Sequence, residues 1–177
     1  MKAYEELLNE KQFSKKDIEN WAIIMHPKSE WYNITAEELA QVFEEWSNFT
    51  ALEKPITDEF GNEFRNSEWY YMAQRTDNLE IKKLIAFLSI GYGLAKKASQ
   101  LYPLEQDEIK RIEYMRKAIK HKFDNNPKLK EKLMNTWDKV IIEYTYREDT
   151  FFGIDQKTLR WRNILWKLLM EYRNENK

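Results

Sequence analysis

Between Leu79 and Phe123 the apolar residues recur every three or four positions, a spacing that commits the middle of the chain to helices. Ile81, Leu84, Ile85 and Leu88 fall on one helical face, and Ile109, Ile112, Met115, Ile119 and Phe123 make a longer stripe. The breakers sit between these stretches. Gly91, Tyr92 and Gly93 interrupt the first, a shorter helix resumes over 94–101, and Pro103 ends it. Start signals flank the other apolar runs. Ser14 with Asp17 precedes Ile18, Trp21, Ile24 and Met25, and Thr35 with Glu38 precedes Leu39, Val42, Phe43 and Trp46. Asn66 or Ser67, Asp77 or Asn78, and Asn126 before Pro127 mark three further starts. Trp161, Ile164, Leu165, Leu168 and Tyr172 line a last helix.

Strand signals are few. Gly61 and Asn62 lie between short alternating stretches within 55–65 and predict a β-hairpin, and Val140 to Tyr144 reads as a strand. Residues 145–155 read as a loop, as do 27–33. Four Gly and four Pro in 177 residues argue against a turn-rich β fold. The expected architecture is mainly α with a small β element. A single globular domain spans 36–177 behind an N-terminal helical extension over 1–35.

Several function classes drop out. A net charge of −1 gives no general attraction for polyanions. With no cysteine there is no disulfide, thiolate nucleophile or cysteine-based zinc site, and His26 and His121 are too few for a histidine-rich metal centre. The carboxylates lack ligand spacing, so neither metal nor other cofactor is expected. The first thirteen residues are charged rather than apolar, unlike a secretory leader, and no apolar run reaches the ~18 residues of a membrane span. A cytoplasmic protein without membrane contact is expected. Oligomeric state is not legible. Aromatics make up 15% of the chain, including seven Trp, and either fill a core between short helices or line a base pocket.

Four segments, taken in order, carry a recognisable pattern. The first is residues 44–49, ending in Ser47, Asn48 and Phe49. The second is the hairpin 58–64 followed by Ser67, Glu68, Trp69, Tyr70 and, further on, Gln74 and Arg75. The third runs from Met115 through Lys122 and Phe123 to Asn126, Pro127 and Leu133 to Thr136. The fourth comprises Ile142 and Glu143, Asp149 with Phe152 and Gly153, Asn163, and 168–173. Together they resemble the NADAR superfamily of YbiA-like N-glycosidases over roughly residues 43–175. That resemblance implies a YbiA-like fold and cleavage of the N-glycosidic bond of a ribosyl substrate, either a small molecule or one attached to nucleic acid. It implies two substrate classes: ADP-ribose on guanine, and phosphorylated intermediates of riboflavin synthesis.

Breaking a ribosyl C–N bond passes through an oxocarbenium-like state, which a nearby carboxylate stabilises while an acid protonates the leaving base. Glu68, the motif carboxylate in the first turn of its helix, and Asp149 are the catalytic candidates. Asn48, Phe49, Trp69, Arg75, Lys122, Phe152, Gly153 and Asn163 are the substrate-binding candidates. Asn48 offers a donor and an acceptor to a ribose or an amide edge. Phe152 suits stacking, Gly153 a close backbone approach, and Lys122 a phosphate; Asn163 either meets the ligand or caps its helix.

The departures from the family pattern are specific. Trp69 stands for its His, Arg75 for its Lys, and Phe152 for its Trp, while Trp137, Trp161 and Trp166 stand for glycines. Ala98 and Ser99 fall where a Gly-Arg pair is usual, so an expected phosphate-binding arginine is absent. An arginine cannot form an imine with an opened ribose at ordinary pH. Glu68, Asn48, Asp149 and the ordered motifs make removal of ADP-ribose from guanine the leading expectation, while Arg75 in place of Lys and Trp in place of Gly speak for binding without catalysis. The alternatives are glycosidase action on riboflavin-pathway intermediates, non-catalytic binding of ADP-ribose or a nucleotide, and a helical interaction domain.

Overall fold

The computed structural model describes residues 5, 7–9, 11–12, 22–25, 47–89, 92–138, 140–145, 151–155 and 160–177. Residues 48–131 pack as one compact unit, and residues 1–47 together with 132–177 as another.

In the first of these units the hairpin pairs β3 (Ile56–Thr57) antiparallel with β4 (Glu63–Phe64), Ile56 opposite Phe64. Its turn is organised by Asp58, whose Oδ1 accepts from Phe60 N at 3.0 Å and Asn62 N at 2.8 Å. Gly61 follows at φ 80°, a left-handed position that suits a residue without a Cβ. Four helices come next: α1 (Ser67–Gln74), α2 (Leu79–Leu88), α3 (Tyr92–Ser99) and α4 (Glu108–Asn125). Two of them begin where the sequence predicts: Asn66 Oδ1 accepts from Trp69 N at 3.0 Å and Asn78 Oδ1 from Glu80 N at 3.0 Å. At the head of α4 Asp107 Oδ1 accepts from Lys110 N at 2.9 Å, a start the sequence reading did not include. Each such bond satisfies an amide the helix cannot. The stripe on α4 is the buried one: Ile112, Met115, Ala118, Ile119 and Phe123 are enclosed, along with Phe64, Tyr70, Ala73 and Ile85. Full burial stabilises the fold by about 1.5–3 kcal/mol for each Ile, Met or Phe of this set, and by less for the two alanines. Asn126 and Pro127 then open α5 (Pro127–Met134).

The other unit is built on a five-stranded sheet in the order β1 (Lys11–Gln12), β7 (Arg160–Trp161), β6 (Ile154–Asp155), β5 (Val140–Thr145), β2 (Ala22–Met25). The expected strand is β5, which runs parallel to β2 with Ile23 opposite Ile141. Helix α6 (Ile164–Glu175) packs on β5 and buries Ile164, Leu165, Trp166, Leu168, Leu169 and Tyr172.

Three expectations are corrected here. Ala22–Met25 is strand, not helix. The run Ala-Ile-Ile-Met is continuously apolar and fits a buried strand as well as a helix, and the parallel partner β5 decides between them. Ile154–Asp155 is strand within the stretch read as loop, and Trp161 belongs to β7 rather than to the last helix. Helix α6 starts only after Asn163, whose φ of 51° is left-handed. The helix expected after Thr35, and the loop over 27–33, lie outside the described residues. Among the described residues no helix is long and apolar enough to cross a membrane. The fold class is mainly helical, six helices among the described residues, with short strands.

Candidate functional site

The start of α1 concentrates the motif residues of the 48–131 unit. Asn66 caps the helix, so Glu68 enters its first turn, where the amide dipoles favour a negative charge. The segment through Asn48 is tied to that turn three times. Glu68 N donates to Asn48 O at 3.0 Å, and Ser67 Oγ lies 3.2 Å from both Asn48 O and Asn48 Oδ1. Asn48 Nδ2 in turn sits 3.5 Å from Glu68 Oε2 and 3.5 Å from Met115 Sδ on α4. The carboxylate is thus approached by a fixed amide, and it is only half-buried. Phe49 meets the Trp69 ring edge to face at 5.8 Å, so Trp69 is packed, with its indole buried.

One turn along α1, Tyr71 is the hub of a charged cluster. Its hydroxyl accepts from Arg111 Nε at 3.3 Å, and the Arg75 guanidinium lies 5.5 Å from its ring centroid. Burial pushes the Tyr71 phenol up, against the pull of Arg75 and Arg111, while Glu68 adds to the rise. Arg75 is drawn below the ordinary arginine range, first by burial and then by the charge of Arg111. Its fork grips the loop before α4. Nε and Nη2 donate to Glu105 O at 3.0 and 2.9 Å, Nη2 also meets Gln106 Oε1 at 3.3 Å, and Glu105 N returns a bond to Arg75 O at 2.7 Å. At this position a lysine would hold a compact charge; arginine instead clamps two carbonyl-type acceptors.

Lys122 is 1% exposed on the inner face of α4, with its ammonium nitrogen 5.3 Å from the centroid of the Phe123 ring. Burial brings its amine down to about 7. Its main-chain oxygen accepts from Asn126 Nδ2 at 2.8 Å, so the α4–α5 junction fixes that end of the helix.

In the other unit, Phe151 and Phe152 stack edge to face at 4.8 Å, and their carbonyls cap α6. Ile164 N donates to Phe151 O at 3.2 Å and Leu165 N to Phe152 O at 3.3 Å. Gly153 is buried beside them. Asn163 is fully buried and makes no side-chain cap. Its Nδ2 donates to Ile141 O of β5 at 3.1 Å, while its Oδ1 has no hydrogen-bond partner. Asp149 lies outside the described residues. The sequence candidates therefore divide. Asn48, Phe49, Glu68, Trp69, Arg75 and Lys122 share one unit, and Phe152, Gly153 and Asn163 share the other.

Three residues of the Glu68 neighbourhood were not singled out from sequence as site residues. Tyr71 and Arg111 match no motif position and are joined only by packing of α1 against α4. Gln74 does fall in the motif, and its Nε2 is enclosed without a hydrogen-bond partner. That position at the end of the motif was the available signal. Among the described residues no cluster of three His, Asp or Glu side chains could hold a metal ion.

These features have relatives. The NADAR domain family model matches residues 31–176. The N-glycosidase YbiA of Shigella flexneri serotype 5b (strain 8401) is 30% identical over 133 residues, covering 74% of this chain and 80% of that protein. The same figures hold for the N-glycosidase YbiA of another Shigella flexneri source. Among solved structures, the solution structure of the E. coli protein YbiA superposes with a TM-score of 0.67 at 24% identity, covering 89% of this chain and 85% of that one. The chain belongs to the NADAR family, which includes N-glycosidases, and it has the YbiA fold.

Proposed function

We propose that this protein is an N-glycosidase that removes ADP-ribose from guanine. The observation that carries the reading is the local geometry of Glu68. A half-buried carboxylate in the first turn of a capped helix has its main chain pinned by Asn48 O at 3.0 Å and an amide nitrogen 3.5 Å from its Oε2. Such a group is oriented before substrate arrives, which is what transition-state stabilisation requires.

In the reaction the bond between the anomeric carbon and the base nitrogen breaks, and its electron pair leaves with the base. The base nitrogen takes up a proton. Positive charge develops on the ribose ring, opposite the ionised Glu68, and water adds to the anomeric carbon as it loses a proton. Asp149 is the proposed acid for the departing base. Asn48 is the proposed partner of a ribose hydroxyl, and Asn163, with an unsatisfied buried oxygen, the proposed acceptor for an amino group. Route by imine is closed to Arg75, whose guanidinium is spent on Glu105 O.

Free ADP-ribose, followed by mass spectrometry after incubation with ADP-ribosylated guanosine, tests the proposal. Release by the protein and its loss in Glu68→Gln are expected; equal release from that variant would remove Glu68 from the chemistry. The engagement of Arg75 favours a second reading, nucleotide binding without turnover. Calorimetric binding of ADP-ribose with no release of base would select it.

A further inference from the structure

Ser67 and Met115 stand in two different motif segments, and neither side chain can reach a substrate, because both are fully enclosed. Each touches the same group, the side-chain amide of Asn48, which is itself buried. Ser67 Oγ lies 3.2 Å from Asn48 Oδ1, and Asn48 Nδ2 lies 3.5 Å from Met115 Sδ. The second proton of Nδ2 has Glu68 Oε2 at 3.5 Å. The groups that meet at this amide come from the segment before the hairpin, the first turn of α1 and the inner face of α4.

These contacts favour one orientation of the amide. A hydroxyl can donate to Oδ1, whereas a thioether sulfur and an ionised carboxylate only accept. Turning the amide over would set Oδ1 against the sulfur and the carboxylate, acceptor against acceptor. The approach of Nδ2 to Glu68 is long for a hydrogen bond, so its direction depends on what else holds the amide. Capping does not occupy Ser67, since Asn66 caps α1. The Ser67 hydroxyl also lies 3.2 Å from Asn48 O, and Glu68 N donates to that same oxygen, so main chain and side chain of Asn48 are both held.

We propose that Ser67 and Met115 are positioning residues for Glu68 that act through Asn48: the hydroxyl and the sulfur fix the amide so that one N–H stays directed at Oε2. The carboxylate is then oriented on one side by its own helix and on the other by a group that cannot turn. The effect on turnover rests on the N-glycosidase reading. The hold on the amide is measured without turnover.

Side-chain amide NMR signals of the full-length protein, with that of Asn48 assigned by its loss in Asn48→Ala, supply the first readout. Slow exchange of these protons with solvent is expected in the wild type and in Ser67→Thr, which keeps the hydroxyl. Exchange about tenfold faster is expected in Ser67→Ala and in Met115→Leu, where Leu keeps most of the volume and has no acceptor. Base release from ADP-ribosylated guanosine supplies the second readout. A fall in kcat of about tenfold in Ser67→Ala and about threefold in Met115→Leu is expected, with KM within about twofold, and Ser67→Thr restores most of the rate. In an Asn48→Ala background neither substitution should lower kcat further, because the group they act through is gone. Fast exchange in the wild type, or unchanged exchange in both variants, overturns the proposal. So does a Ser67→Ala loss that persists without the Asn48 side chain, which would assign the serine to the main chain of Asn48 alone. Should Ser67→Ala not fold, Met115→Leu decides by the same criteria. Exchange that quickens as expected in a protein that releases no base would leave the hold on Asn48 standing and remove the glycosidase reading instead.

Discussion

Helices α1 and α6 both begin after an asparagine, and the two asparagines do opposite things. Asn66 is extended, at φ −151°, and its side chain caps α1 through Trp69 N. Asn163 is left-handed, at φ 51°, and its side chain leaves α6 for the Ile141 carbonyl. The capping of α6 passes to the main chain of Phe151 and Phe152. The consequence lies in what each helix start leaves exposed to a partner. A helix capped by its own asparagine presents Glu68 in a turn where the Glu68 and Trp69 amides are already bonded. A helix capped by main chain instead leaves the buried Asn163 amide oxygen with an open acceptor. Residue type is the same in both, and backbone conformation sets the role.

The contrast can be broken at several points. Replacing Glu68 by Gln removes the charge that the α1 start holds, and kcat for base release is expected to fall by a factor on the order of 100–10,000. Asn163→Gln would leave turnover closer to normal if the α6 start is purely structural, which steady-state rates on the same substrate would show.

Buried charge in the α1-bearing unit offers the next largest effect. Lys122 titrates at about 7 when folded and at 10.5 when exposed. Between these values the unfolded chain holds a proton that the folded chain does not. Stability should therefore rise with pH across that window, by up to about 1.4 kcal/mol per unit from this group, and lose that contribution to the slope below 7. Lys122→Met should raise stability at pH 6 and flatten the profile. Urea melts at pH 6, 7.5 and 9 would show it, and an unchanged slope would count against a neutral buried amine.

Smaller effects separate the two caps directly. Asn163→Ala strands the Ile141 carbonyl and places a Cβ residue without a helpful side chain in the left-handed region, so a loss of about 2 kcal/mol is expected. Asn66→Ala should cost about 1 kcal/mol, the usual value of a side-chain cap. Equal losses in chemical denaturation would erase the distinction between the two helix starts. The smallest change is expected at Trp137, 75% exposed at φ 53°. Trp137→Gly relieves left-handed strain but loosens the unfolded chain, for a net gain of under about 1 kcal/mol in the same melts.

Much of this protein can be read from its residues. The stripe of α4, the caps Asn66 and Asn78, the Gly61 turn and the strand at Val140–Thr145 all follow from local spacing and side-chain chemistry, and each forms. Glu68 could be placed in a first turn for the same reason: a cap and a helix start are properties of a few neighbouring residues. Tertiary partners decided the rest. Ala22–Met25 became strand because β5 lies beside it, and Trp161 became strand because β6 and β1 do. Arg75 was legible as a departure from a motif, but its grip on Glu105, thirty residues away, was not. Tyr71 and Arg111, forty positions apart, carry no local signal at all. Helix periodicity and capping act over one or two turns, so the sequence determined those alone. Contacts between distant segments depend on which faces pack together, and only the folded chain shows that Glu68 shares its helix with the anchor of an arginine from α4.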